Sequence, residues 1–297
     1  MTAKMKKVLI TGAHGQVGHC LVTQLSPRAD VEVVAYDRAD LDITSEEQVN
    51  AVIQALQPDT IINAAAHTAV DKAEEEVDLS YAINRDGPRY LAQAAELCGA
   101  VLLHISTDYV FDGTKSEPYA ETDVTNPPSV YGQSKLAGEQ AVSDTCSNYA
   151  ILRTAWVFGE HGNNFVKTML RLGKERSELG IIGDQFGGPT YAGDIATALI
   201  TMMDEFQRGA ADISGVYHFS GAPHVSWYEF AQAIFTAASE HCALGSVPVV
   251  NEITADQYPL PAPRPASSRL DCSKIEAAFG IKPSDWNQAL KNIQAYS

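Results

Sequence analysis

Along the first half of the chain, short runs of apolar residues alternate with longer segments in which apolar positions recur every three or four residues. Segments 8–11, 31–36, 60–64, 101–106 and 149–153 are almost continuously apolar, as strands buried on both faces of a sheet must be. Between them, 17–25, 45–56, 79–98 and 131–145 have the length and period of amphipathic helices. Ser45, three residues before Gln48, forms a capping-box pattern at one helix start. Strict alternation of strand and helix predicts βαβ units and an α/β fold with a doubly wound parallel sheet. Beyond about residue 155 the rhythm loosens. Segments 163–178, 194–207 and 226–241 read as helices separated by turns rich in Gly and Pro. Segment 258–268 (YPLPAPRPASS) holds four prolines, which exclude a helix and predict an extended stretch lying over something.

Composition narrows the classes. A chain of 297 residues, 45% hydrophobic and 20% charged, can bury a full core, which excludes a disordered chain and a disulfide-stapled mini-domain. Its 37 acidic residues against 21 basic ones give a net charge of −16, so it is a poor general binder of nucleic acid or of an anionic membrane surface. A phosphate ligand would need a local site that works against that field. Cys20, Cys98, Cys146, Cys242 and Cys272 are scattered and never in CxxC spacing, and no His pair has ligand spacing, so no metal site is expected. Lys4, Lys6 and Lys7 precede an apolar run that is too short for an export signal. No stretch of eighteen apolar residues occurs, and a cytoplasmic location is the expectation.

Three patterns carry chemistry. Gly12, Gly15 and Gly18 (GAHGQVG) follow the first strand directly and open the first helix, where small residues let the backbone approach a pyrophosphate at a helix N-terminus. Asp37 closes the second strand, placed to bind the ribose hydroxyls of an adenosine, with Arg38 beside it able to face a 2′-phosphate. Ala64, Ala65 and Ala66 end the third strand and leave room for a cofactor against the backbone. Tyr131 and Lys135 stand at i and i+4 on one helical face. A lysine cation there would lower the phenol's pKa from about 10, so that it trades a proton with a carbonyl or alcohol. Thr107, at the end of the fourth strand, offers a hydroxyl to the same oxygen. These motifs predict a Rossmann-type nicotinamide dinucleotide domain over 1–158, joined by segments around 190–220, and a smaller substrate-binding domain over 159–297.

With these residues in this order, the chain resembles the extended short-chain dehydrogenase/reductases and, within them, the dTDP-4-dehydrorhamnose reductase family. The likeness covers nearly all the chain, through NAAAHTAVDKAE at 63–74, STDYVFDG at 106–113, VYGQSKLAGE at 130–139, DQFGGPT at 184–190 and RPASSRLD at 264–271. The resemblance implies an NADPH- or NADH-dependent oxidoreductase that makes dTDP-rhamnose for surface polysaccharide such as O-antigen. It implies Tyr131 as proton donor with Lys135 as its partner, and Thr107, Asp108 and Trp156 as sugar contacts. Gln16, Val17, Asp42, Ile43, His67 and Thr68 would join the glycines, Asp37 and the alanines around the dinucleotide. Asn164 and Arg264 are candidates for the nucleotide-diphosphate end, since an Arg fork suits phosphate.

Two alternatives share the fold: a regulatory subunit without catalysis, and a reductase of a different nucleotide-4-keto sugar. Some relatives hold Mg²⁺ between subunits through glutamates at the positions of Cys20 and Gly193. A thiol and a glycine are no substitute for hard carboxylate ligands, so a monomer or weak homodimer without bridging metal is expected.

Overall fold

Six strands form one parallel sheet: β1 Lys6–Thr11, β2 Val31–Tyr36, β3 Thr60–Asn63, β4 Val101–Thr107, β5 Tyr149–Thr154 and β6 Gly215–His218. The computed structural model describes residues 5–241 and 243–296, so the expectation for Cys242 lies outside the described residues. The strands lie in the order β6-β5-β4-β3-β1-β2. From β1 the chain passes to β2 on one side and returns to β3 on the other. A crevice therefore opens at the carboxyl ends of the strands beside β1, the usual ligand position in such sheets. Five of the six strands coincide with the apolar runs. The sixth is four residues long and begins with Gly215, too short to show in the pattern.

Helices cover both faces. On one face lie α1 (Gln16–Leu25) and a helix from much later in the chain, Ala192–Gln207, whose Ile195, Leu199 and Met202 pack with Leu21 and Leu25 over Val8 and Ile10. On the other lie α2 (Glu46–Leu56), α3 (Gly87–Cys98) and α4 (Val130–Thr145), with Val49, Ile53, Leu91 and Val142 against Leu9, Ile61 and Ile151. Continuing in chain order, α5 is Phe165–Glu175, α6 is the helix Ala192–Gln207 just described, and α7 is Trp227–Glu240. A separate core forms where Val166 and Leu170 of α5 meet Phe230 and Ile234 of α7, with Phe158 and Trp286.

The structure revises several expected elements. The single helix over 79–98 is broken into Val77–Tyr81, a π turn over Ala82–Asp86, and α3. Pro88 is the reason: it has no N–H to give the carbonyl of Asn84 four residues earlier. That carbonyl lies against Gly138 of α4, where any side chain would collide with it, so the irregular turn seats the helix that carries Tyr131. The helix expected to reach 178 stops at Glu175, and Glu178–Ile182 pairs in parallel with Val249–Ile253. Ser45 caps α2 through the N–H of Gln48 (3.3 Å), but the Gln48 carbonyl turns to the N–H of Asp42, so the box is half made. A complete box opens α7 instead, between Ser226 and Glu229.

Candidate active site

The glycine loop is shaped by backbone contact. Gly12 has φ +70°, and a Cβ there would lie 2.6 Å from the amide nitrogen of Ala65. A Cβ on Gly18 would collide with the carbonyl oxygen of Gly12. With no side chains between them, the first turn of α1 and the chain leaving β3 come close enough to present bare backbone to the cleft. A cavity of about 420 Å³ on the β2 side and one of about 550 Å³ on the β4 side both touch Gly15, Ala64 and Ala66. An extended dinucleotide could run from one to the other across the N-terminus of α1, where the helix dipole favours phosphate.

The smaller of these two cavities gathers Gly12, Asp37, Arg38, Asp42, Ile43, Ala65 and His67. Asp37 is held within its own turn. Its Oδ1 accepts the N–H groups of Ala39 (2.6 Å) and Asp40 (3.2 Å), and Oδ2 lies 3.0 Å from His14 Nδ1. These bonds hold its carboxyl below the usual range, led by the one from Ala39. Asp42 similarly accepts from the Thr44 amide and hydroxyl. His67 is a satisfied polar group, 2.8 Å from Ser80 Oγ and 3.1 Å from Glu76 Oε2.

The larger cavity brings together Thr107, Asp108, Tyr131, Lys135 and Trp156 with Gln16, Val17 and Thr68. Strand β4 delivers Thr107 and a short turn delivers Asp108, while α4, capped by Ser129, presents Tyr131 and Lys135 on one face. Thr107 donates to Asp108 Oδ1 at 3.0 Å and accepts from the Tyr109 amide. Burial pushes the Asp108 carboxyl up to about 7.

One expectation is corrected here. The Tyr131 phenol is pushed up to about 12, chiefly by burial, with a hydrogen bond to Thr107 acting against that rise. Burial also lowers Lys135, to about 8, and its Nζ donates to the carbonyl of Ile105 at 2.7 Å. Such a phenol keeps its proton at neutral pH and is an acid in waiting, which suits reduction of a ketone.

Trp156 forms the far wall. Its backbone takes φ +47°, a conformation that a bulky residue adopts only under constraint from its surroundings. The indole donates to Ser268 Oγ at 3.1 Å and lies flat on Trp227, centroids 3.4 Å apart and planes 7° from parallel. Beyond it a third cavity, about 360 Å³, shares Tyr109 with the catalytic one and is lined by Phe165, Met169, Gln185, Trp227 and Arg264. The proline-rich segment borders it through Tyr258 and Leu260. Asp71 latches that segment: Arg264 donates to it at 2.8 Å, and so does the amide of Ala262 at 3.1 Å.

Asn164 lies beside the larger cavity, next to its lining residue Gln16. It caps α5, and its amide donates to Gln16 Oε1 (3.0 Å) and the Gly159 carbonyl (2.7 Å), while its neighbour Asn163 lines the catalytic cavity. Trp227 and Asp71 were not singled out from sequence, for they meet Trp156 and Arg264 only through the fold.

The residues at positions 20 and 193, where the resemblance raised Mg²⁺, do not fit that ion. The Cys20 thiol is buried and pushed up to about 11, so it stays protonated, and a side chain at Gly193 would collide with the Tyr191 ring. Among the described residues no group of three or more His, Cys, Asp or Glu could hold a metal, and no helix is long and apolar enough to cross a membrane.

Comparison with known proteins agrees with this geometry. The family described as the RmlD substrate binding domain matches residues 5–296. The dTDP-4-dehydrorhamnose reductase of Aggregatibacter actinomycetemcomitans is 52% identical over 293 residues, covering 99% of this chain and all of that protein. The crystal structure of a dTDP-4-dehydrorhamnose reductase from Clostridium acetobutylicum superposes with a TM-score of 0.89 at 43% identity, covering 97% of this chain and 98% of that one. That of the Bacillus anthracis reductase, in complex with NADP, does so with a TM-score of 0.90 at 38% identity, covering 99% and 100%. The sheet, the paired cavities, the Tyr131–Lys135 face and these likenesses agree, and the chain belongs to the family of the dTDP-4-dehydrorhamnose reductases.

Proposed function

We propose that this chain reduces the C4 keto group of dTDP-4-dehydro-β-L-rhamnose to give dTDP-β-L-rhamnose, using NADPH or NADH. The observation that carries the reading is the convergence of Thr107, Tyr131 and Lys135 on one cavity, with the glycine cleft on one side and the Arg264 cavity on the other. When bound, the reduced nicotinamide supplies the hydride that C4 receives. Tyr131 gives its proton to the carbonyl oxygen as charge grows there, and the Thr107 hydroxyl steadies that oxygen. The flat indole of Trp156 covers an apolar sugar face, and Arg264 stands near the diphosphate. Gly15, Asp37, Arg38, Asp42 and Ile43 hold the adenosine half of the coenzyme. In this reading residues 1–158, with segments around 190–220, carry the coenzyme, and 159–297 mainly carry the sugar nucleotide.

The strand end favours reductase over sugar 4,6-dehydratase. Elimination needs an acid and a base on two different atoms, and Thr107 is followed by one carboxylate, Asp108, and then by Tyr109. The reaction serves surface polysaccharide in the cytoplasm, and the chain works as a monomer or weak homodimer without bridging Mg²⁺. Turnover decides the matter. Enzymatically prepared dTDP-4-keto-6-deoxy sugar should consume NADPH or NADH and yield the 6-deoxy-hexose nucleotide, whereas dTDP-glucose with NAD⁺ should yield nothing. Coenzyme binding without turnover would point to a regulatory subunit.

A further inference from the structure

Behind Lys135 lies a buried polar chain that the reaction as described does not use. His104 sits on β4 opposite Asn63 of β3, which in turn sits opposite Thr11 of β1, and all three side chains are buried. The backbone N–H of Ala65 donates to Asn63 Oδ1 at 3.2 Å and the Thr11 hydroxyl donates to the same atom at 2.7 Å. A backbone N–H can only donate, so the Asn63 carbonyl is fixed on that side and its NH₂ faces His104 Nδ1 at 3.0 Å. His104 Nδ1 is therefore the acceptor, and the proton of the neutral ring resides on Nε2. That N–H points at Lys135 Nζ, 3.4 Å away.

Two donors face each other if Lys135 is an ammonium; a lone pair meets a donor if it is an amine. We propose that His104 is a positioning residue for the keto reduction, orienting Lys135 from behind and setting how readily its Nζ gives up a proton. A second proton on the ring would only add a donor at Nδ1, and burial and the Lys135 charge hold the ring well below its ordinary value. The other charged groups around the lysine leave the conflict in place. On its own helix Tyr131 is neutral, and Glu139, which favours the ammonium, is already engaged by the Arg153 guanidinium of β5 at 2.7 Å and by Ser106 of β4 at 2.5 Å. Asp108 lies across the cavity, bonded to Thr107.

The consequence has a sign. Ammonium charge at Lys135 favours the negative charge that develops as Tyr131 releases its proton, so activity falls as pH rises through the lysine's titration. Asn at 104 keeps an acceptor for Asn63 and removes the donor aimed at Lys135. Gln reaches Lys135 and can turn its oxygen toward an ammonium. In His104→Asn and His104→Gln the alkaline fall of kcat/KM should therefore move upward by about one pH unit, a tenfold change in proton concentration. A purely structural role would instead lower activity equally at every pH and leave the fall in place, and that outcome overturns the inference. NMR supplies tests that need no substrate, the first of them on the wild-type protein alone. In the wild-type protein the His104 ring should carry its proton on Nε2, and a proton on Nδ1 would overturn the inference as well. The ¹³Cε titration of Lys135, assigned by its loss in Lys135→Met, should likewise shift upward in either variant that folds. The inference rests on the reductase reading, but the two fail separately: a wild type that leaves the keto sugar untouched sinks the function, and an unmoved lysine titration sinks the role of His104.

Discussion

The two ends of the cleft are built by different means. At the coenzyme end, one continuous strand–turn–helix supplies the floor. Gly12, Gly15 and Gly18 act through the absence of side chains, so the ligand would meet backbone, and the few side chains needed, Asp37 and Asp42, are held by bonds to their own turns. At the sugar end nothing is contiguous. Asp71, Tyr109, Trp156, Trp227 and Arg264 come from five parts of the chain and meet through side chains. In the proposed reading the first design serves the coenzyme through local geometry, and the second serves the sugar nucleotide through side chains brought together by the fold.

The catalytic group between the two ends should show the largest effect. Tyr131→Phe removes the acid while leaving both ends intact, so kcat and kcat/KM should fall together by about 10²–10⁴ with coenzyme affinity unchanged. Near-normal turnover would remove Tyr131 from the chemistry. At the coenzyme end, Gly18→Ala sets a methyl against the Gly12 carbonyl, a backbone atom that cannot swing away. Overpacking of that kind costs about 1–3 kcal/mol, and it should appear as weaker coenzyme binding by calorimetry together with a lower Tm. An unchanged Kd would show that the loop is not the pyrophosphate floor.

At the sugar end the expected effect is smaller and selective. Arg264→Leu, or loosening its latch with Asp71→Asn, should raise KM for the sugar nucleotide by roughly 10- to 100-fold, since charge-assisted bonds are worth about 1.5–3 kcal/mol, while KM for NADPH stays put. A matching rise in both constants would erase the contrast between the ends. The smallest effect belongs to Asp37→Ala. Loss of a half-buried carboxylate near a 2′-phosphate should shift the kcat/KM ratio toward NADPH by roughly two- to fivefold at low salt, a change that fades as salt is added.

The same contrast governs what could be read from the chain. The glycine loop was legible because its physics is local: a buried strand, a turn without side chains and a helix start follow one another in sequence. Tyr131 and Lys135 were legible because the helical period puts i and i+4 on one face. Their ionisation was not, for it depends first on burial, and the His104 that meets Lys135 arrives from another strand. Pro88 was visible, but not that the carbonyl it frees would seat Gly138 of the catalytic helix. Asn164 caps α5 through its Oδ1 while its amide donates to Gln16 of the cavity lining, a pairing across 148 residues that the local sequence does not reveal.

Hydrophobic period and turn chemistry by themselves determined the alternating elements, five of the six strands, the helix carrying Tyr131 and Lys135, and the glycine cleft, since each depends on residues a few positions apart. Only the tertiary structure decided the stacking of Trp227 on Trp156, the Asp71 latch on the proline-rich segment and the proton balance at Lys135. These are contacts between residues tens to nearly two hundred positions apart. Their energies depend on burial and on a partner's position, and neither exists until the chain has folded.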